Sequence, residues 1–112
     1  MNILKDIKNT ICYCIEWILF MKLKANTLKN KLWKVFSEYI RKRDDWVCIS
    51  CGKPLKWNEG HAGHFVARNR SLNTYFDEQN VNLQCCHCNL YLSGNLYKYW
   101  KALEKKYGKD MP

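Results

Sequence analysis

At 112 residues the chain is too short for two independent hydrophobic cores and has no Gly/Ser/Pro-rich linker, so one domain with one site is expected. Apolar residues make up 47%, with five Trp and seven Tyr, which excludes disorder of the whole chain. The formal charge of +9 argues for a polyanionic partner, either nucleic acid or an anionic membrane surface.

The first segment, residues 1–26, is apolar and basic. Lys5 and Lys8 precede the apolar run Ile11 to Met21, a weak likeness to a secretion signal. Glu16 interrupts that run, no small-residue cleavage site follows, and the run is too short to span a bilayer. A reducing cytoplasm without membrane contact is the expectation. Ile11 to Lys24 reads as a helix in which Cys12 and Cys14 are ordinary apolar residues, and its apolar face offers a surface for a homodimer.

The second segment, residues 27–112, carries the motifs. Thr27 to about Arg43 reads as an amphipathic helix, because Leu28, Leu32, Val35, Phe36, Tyr39 and Ile40 recur at helical spacing. Lys22, Lys24, Lys29, Lys31, Lys34, Arg41, Lys42 and Arg43 crowd this region, with Glu38 the sole acid among them. A run of charge can merely solvate a helix, but the single sign favours contact with phosphates.

From Trp46 to Gly60 short apolar pieces alternate with turn residues. Cys48-Ile49-Ser50-Cys51-Gly52 has the form of a zinc knuckle, since a Gly after the second thiolate permits a left-handed backbone. His61 to Val66 reads as a strand entering a loop that bears Arg68 and Arg70. Val81 to Gln84 leads into the second knuckle, Cys85 to Cys88. Farther on, Leu96, Tyr99, Trp100, Leu103 and Tyr107 form one helical stripe that Gly108 is placed to cap.

Four of the seven cysteines thus form two close pairs, Cys48/Cys51 and Cys85/Cys88, the set that a closed structural zinc site needs. A disulfide framework is the competing reading and would require an oxidising compartment. Cys86 is the spare thiol. A Cys₄ site has no open coordination position, so its zinc can hold the fold but cannot activate water.

The residues between and beside the knuckles suggest more than a zinc ribbon. A lone histidine is more often structural than catalytic, but His64 is accompanied by His61, Arg68, Asn80 and Asn89. Phosphodiester hydrolysis needs a base near neutral pH, a cation for the charge on phosphate and leaving oxygen, and groups that hold both in line. His64, a hard metal held in part by Asn89, and Arg68 suit those roles. Trp57 and Tyr75 could stack on bases, although core packing is the commoner use of both.

Several motifs in order, Cys48-Ile-Ser-Cys51-Gly, Ala62-Gly-His64-Phe, Tyr75-Phe-Asp-Glu-Gln-Asn80, Gln84-Cys85-x-x-Cys88-Asn89 and Ser93-Gly94-Asn95-Leu96, together resemble the phage lambda NinG/Rap family of recombination nucleases. The likeness covers roughly Leu32 to Gly108. A wider resemblance is to the His-Me finger (HNH) nucleases, among them the junction-resolving T4 endonuclease VII, in which a Cys₄ zinc frame flanks a ββα metal site. The resemblance implies an α+β fold with a zinc-bound ββα core between amphipathic helices. It also implies a structure-specific endonuclease acting on branched recombination intermediates, such as D-loops and Holliday junctions, in a bacterial host.

Carried over by position, the resemblance makes His64 the general base, Asn89 a ligand of catalytic Mg²⁺ or Mn²⁺, and Asn80 the residue that pins the loop around the histidine. One departure is plain. Many relatives carry Asp immediately before the base, where this chain has Gly63, and lambda-type relatives carry Asp three residues before it, where this chain has His61. Either His61 ligates the metal instead, or a Mg²⁺-bound water helps His64. The longer cysteine-bearing N-terminal region of the lambda type is also missing, so its function is expected to be absent or supplied differently. The alternative function is a non-catalytic zinc ribbon that binds nucleic acid, and the inserted His64, Asn80 and Asn89 are what separate the two readings.

Overall fold

The computed structural model describes the backbone of residues 3–109 and the side chains of residues 12–109. The use of Lys5, Lys8 and Ile11 in reading the N-terminus falls on side chains outside that set. The chain divides into two compact units, one ending at Trp33 and the other beginning at Lys34.

Helix α1 spans Ile3–Arg43, where the sequence reading places two helices. Nothing between Lys24 and Thr27 stops a helix, since neither Pro nor Gly occurs there. Thr27 also donates its hydroxyl to the Leu23 carbonyl at 2.9 Å, the bond a Thr makes within a continuing helix. Among the described side chains of the first unit, Tyr13, Trp17, Leu19 and Phe20 are exposed, and Trp33 is partly buried. Among the described residues no helix is long and apolar enough to cross a membrane.

The second unit is α+β. It holds the end of α1, strand β1 (His61–His64), a short helix α2 (Leu72–Tyr75), strand β2 (Val81–Gln84), one π-helical turn (His87–Tyr91) and helix α3 (Leu96–Tyr107). The two strands pair antiparallel, with His61 opposite Gln84 and Gly63 opposite Asn82. The strand read as His61 to Val66 ends at His64, because the Asn80 side chain rather than a partner strand takes up the polar groups of Val66.

All four residues of β2 are buried. Its sequence, Val-Asn-Leu-Gln, alternates, so Val81 and Leu83 face one side of the sheet while Asn82 and Gln84 face the other. Val81 and Leu83 enter the core with Ile40, Tyr75, Tyr99 and Leu103, and each such side chain contributes about 1.5–3 kcal/mol relative to exposure. From the stripe predicted on α1, Ile40 is fully buried and Phe36 is half-buried, packing edge-on against Phe76 at 5.5 Å, whereas Leu28, Leu32 and Val35 stay exposed. On α3, Tyr99 and Leu103 are buried, and Gly108 caps the helix with its amide on the Glu104 carbonyl at 2.9 Å.

Buried Asn82 is fully engaged, as a buried amide must be. It donates to the Gln79 carbonyl and to the Tyr99 hydroxyl, and it accepts from Arg43 at 2.9 Å. Arg43 also donates to the carbonyls of Glu78 and Val81 and pairs with Asp44, whose other oxygen accepts the Leu83 amide at 2.7 Å. Arg43, expected among the phosphate contacts, is therefore used inside the fold to tie the end of α1 to β2.

Candidate active site and metal centre

The first knuckle is a tight turn. Val47 and Pro54 form an isolated antiparallel bridge, the Cys48 amide donates to the Lys53 carbonyl at 2.9 Å, and the Gly52 amide donates to the Cys48 carbonyl at 2.8 Å. Gly52 has φ +73°, the left-handed conformation expected after the second thiolate. The Ile49 amide reaches the Leu83 carbonyl at 2.8 Å, which seats the knuckle beside β2 and brings it to the second pair.

The sulfurs of Cys48, Cys51, Cys85 and Cys88 all lie within 4.8 Å of one another. The four cysteines are positioned to hold one metal ion, and all are free thiols. Burial pushes the Cys48 thiol up and takes Cys88 up to about 12. For Cys85 burial acts in the same direction, but the Cys88 amide and the neighbouring thiols outweigh it and leave the group lowered. Thiols crowded in this way ionise together only if a cation compensates them, and a bound metal does so. Asn95, held at φ +46°, donates to the Cys88 sulfur at 3.4 Å. Cys86 is exposed and outside the cluster. A cavity of about 700 Å³ borders the cysteines and is walled by Leu55, Tyr91 and Leu92; it lies away from His64.

His64 is the last residue of β1 and is half-buried. Its Nε2 lies 2.9 Å from the Tyr75 carbonyl oxygen. A carbonyl can only accept, so Nε2 carries the proton and the neutral ring has its lone pair on Nδ1. The rings of His64 and Tyr75 lie 5.1 Å apart. Burial lowers the His64 pKa first, the Tyr75 carbonyl opposes that, and the positive charge of Arg68 adds to the lowering. The imidazole is therefore neutral at pH 7, the form a proton acceptor needs.

Asn80 closes the loop that follows. Its Oδ1 accepts the Val66 amide at 2.7 Å, and its Nδ2 donates to the carbonyls of Val66 and Thr74 at 3.1 and 2.9 Å. Within this loop Ser71 caps α2, which carries Tyr75, so the carbonyl that orients His64 is fixed by the residue that fixes the loop. Tyr99 adds a second tie, donating from its buried hydroxyl to the Gly63 carbonyl at 2.6 Å.

Asn89, on the π-helical turn, places Nδ2 2.9 Å from His61 Nδ1. With that bond made, its Oδ1 faces Gly63, where a Cβ would stand 3.1 Å from it. The sequence leaves His61 either as a metal ligand in place of Asp or set aside for a Mg²⁺-bound water that helps His64; this bond gives it a further use, that of orienting Asn89. Gly63 is buried, and a Cβ there would overlap Gln84 Oε1 outright. The position where relatives are expected to carry Asp therefore has no room for one while Gln84 keeps its place.

Among the basic residues, Lys31, Lys34, Lys42, Arg68 and Arg70 are exposed, and Lys29 and Arg41 are partly buried. Tyr75 packs in the core; Trp57 is 75% exposed, with its ring 6.1 Å from that of Trp46. The sequence alone suggests no role at the site for Gln84, Tyr99 or Asp44, Tyr99 being read only as part of the α3 stripe. Gln84 stands in a motif quoted for the resemblance, and the alternation of β2 puts it on the same face as Asn82, a signal that was there to use.

In comparisons with known proteins, the family model described as Bacteriophage Lambda NinG protein matches residues 20–111. The curated relatives include Protein ninG of Escherichia phage 933W, 40% identical over 73 residues that make up 64% of this chain and 36% of that protein. Protein ninG of Salmonella phage P22 is 41% identical over 71 residues, 62% of this chain and 34% of that protein. Protein ninG of Escherichia phage lambda is 38% identical over 73 residues, 64% and 35%. The match thus spans about a third of the length of these relatives. No solved structure matches the chain.

Proposed function

The chain belongs to the NinG family of phage proteins, and from that premise we propose that it is a metal-dependent DNA endonuclease of the His-Me finger (HNH) kind, acting on branched recombination intermediates. The observation that carries this reading is the fixed tautomer of His64, a neutral imidazole whose Nε2 proton is committed to the Tyr75 carbonyl. His64 Nδ1 takes a proton from water as the water oxygen bonds to phosphorus, and the ester bond to the leaving oxygen breaks. Arg68, near enough for its charge to act on His64, neutralises the phosphate.

The four thiolates would hold Zn²⁺ as a structural ion. An oxygen donor turned to Gly63 suits a hard cation, so Asn89 Oδ1 would help to hold Mg²⁺ or Mn²⁺, which would stabilise charge on the phosphate. DNA is the partner, engaged through Lys29, Lys31, Lys34, Arg41, Lys42, Arg68 and Arg70. The exposed apolar side chains from Tyr13 to Leu23 support a homodimer, which cutting two opposed strands would use. The host cytoplasm fits the free thiols.

The test is incubation of purified, zinc-loaded protein with labelled four-way junction, D-loop and linear duplex, with and without Mg²⁺. Mg²⁺-dependent cuts in the branched substrates are expected. Binding without cutting, in Mn²⁺ as well, would leave a nucleic-acid-binding zinc ribbon as the function.

A further inference from the structure

Gln84 is fully buried, at 0% exposure. Its Nε2 donates to the Ser50 hydroxyl oxygen at 2.8 Å and to the Gly94 carbonyl at 2.6 Å. A carbonyl cannot face an amide oxygen, so these bonds fix which end of the side chain points where, and Oε1 is turned toward Gly63. That oxygen is buried and has no hydrogen-bond partner. A buried carbonyl without a partner costs on the order of 1–3 kcal/mol; among the described residues it shares this state with Arg41 Nε, whereas the buried amides of Asn80 and Asn82 are both satisfied.

The surroundings of Oε1 are not random. The missing Cβ of Gly63 would overlap Oε1, would stand 2.9 Å from Gln84 Cδ, and would meet Asn89 Oδ1 at 3.1 Å. Two amide oxygens therefore converge on the space that Gly63 leaves open. His61 stands opposite Gln84 in the strand register and bonds to Asn89. Amide oxygens beside an imidazole form a donor set suited to a hard or borderline divalent cation.

We propose that Gln84 Oε1 is a ligand of the divalent cation held by Asn89, supplying from β2 the oxygen that a Gly at position 63 cannot supply from β1. The inference rests on the metal-dependent reading above and adds to it a named donor. It also accounts for the pairing of residue types: an Asp at 63 and a Gln at 84 would compete for one volume, so a chain with Gln84 in this rotamer needs Gly63.

The test is Mn²⁺ binding to the zinc-loaded full chain, followed by loss of the free-ion signal in electron paramagnetic resonance. Gln84→Ala is expected to weaken Mn²⁺ binding by about tenfold or more while retaining zinc. Gly63→Asp combined with Gln84→Ala, in which the clash is removed and a carboxylate supplied, is expected to restore binding at least to the wild-type level. A purely structural Gln84 would not be rescued from position 63. Should Gln84→Ala lose its zinc or its helical signal, Gln84→Glu decides instead, with tighter Mn²⁺ binding expected from the added charge. Unchanged affinity in Gln84→Ala, no gain in the double variant or in Gln84→Glu, or a wild-type protein that takes up no Mn²⁺ would each overturn the proposal. Cleavage of junction DNA is scored separately. Cutting with Gln84-independent Mn²⁺ binding removes this inference and leaves the nuclease reading, whereas Gln84-dependent binding without cutting does the reverse.

Discussion

His64 and Tyr75 are joined through ring nitrogen and backbone carbonyl, Nε2 to O at 2.9 Å, and this bond decides which nitrogen of the histidine can accept a proton. His64→Ala is expected to keep zinc and affinity for branched DNA while losing about 10²–10⁴ in Mg²⁺-dependent cleavage rate. Single-turnover cleavage checks it, and a variant that cuts as fast as its parent would move the base to another residue.

The lowered pKa of His64 sets the direction of the pH profile. Because burial disfavours the imidazolium, the base stays unprotonated below the ordinary histidine value of about 6.5. Cleavage is expected to hold its plateau from pH 8 down past that value before falling. By linkage, the neutral folded His64 favours folding above its unfolded pKa, and this contribution is lost as pH falls toward the lower folded value. Rate measurements over pH 5 to 8 test the profile; a fall centred above pH 6.5 would contradict it.

Asn80 makes three hydrogen bonds to the loop backbone, so Asn80→Ala leaves the Val66 amide without its acceptor. A loss of about 1–3 kcal/mol is expected, read as a fall in melting temperature of about 4–8 °C per kcal/mol for a unit of this size. Cleavage should fall further than stability does, because the carbonyl that orients His64 belongs to the same loop.

One zinc per chain is expected on metal analysis of reduced protein. Cys51→Ala should unfold the second unit, since structural zinc supplies on the order of 10–16 kcal/mol of folding energy in small domains. Cys86→Ala should melt like the parent. A zinc-free, folded wild-type protein would end this reading.

Two kinds of basic residue should separate in salt titrations of DNA binding. Replacing Lys29, Lys31 and Lys34 together by Gln is expected to flatten the log–log slope by about 0.9 for each phosphate no longer neutralised. Arg43→Gln, which strips donors from Asp44, Val81 and Glu78, should instead cost on the order of 2–3 kcal/mol of stability and leave the slope unchanged.

Val81 to Gln84 reads only as the lead into the second knuckle, its pairing with β1 being a matter of register across the sheet, but the knuckles and α3 are legible in the sequence because each has a short-range cause: thiolate spacing with Gly52, and a helical stripe closed by Gly108. The α1 boundary is not, since the apparent break at Ala25-Asn26 depends on whether Thr27 bonds backward to Leu23, which spacing alone does not say. His64, Asn80 and Asn89 can be named from motif, but their orientation cannot. It depends on bonds from His64 to the Tyr75 carbonyl and from Asn89 to His61, across 11 and 28 residues, that sequence distance conceals. Arg43 reads as surface charge because its acceptors other than the adjacent Asp44 lie 35 to 39 residues away.

The cysteine cluster joins segments far apart in the chain, with Cys51 and Cys85 34 residues apart and their sulfurs at 3.8 Å. Between these two points run both histidines of β1, the loop held by Asn80, and all of β2. Bringing the ends of such a loop together costs about 3 kcal/mol of chain entropy, a cost that falls on whatever event first closes it. If an ion closes it, capture of that ion precedes formation of the hairpin, and refolding should slow in proportion as free zinc is withdrawn. On the nuclease reading the base would then come into being last, on a frame already locked, and a newly made chain without its ion would hold DNA through α1 without cutting it.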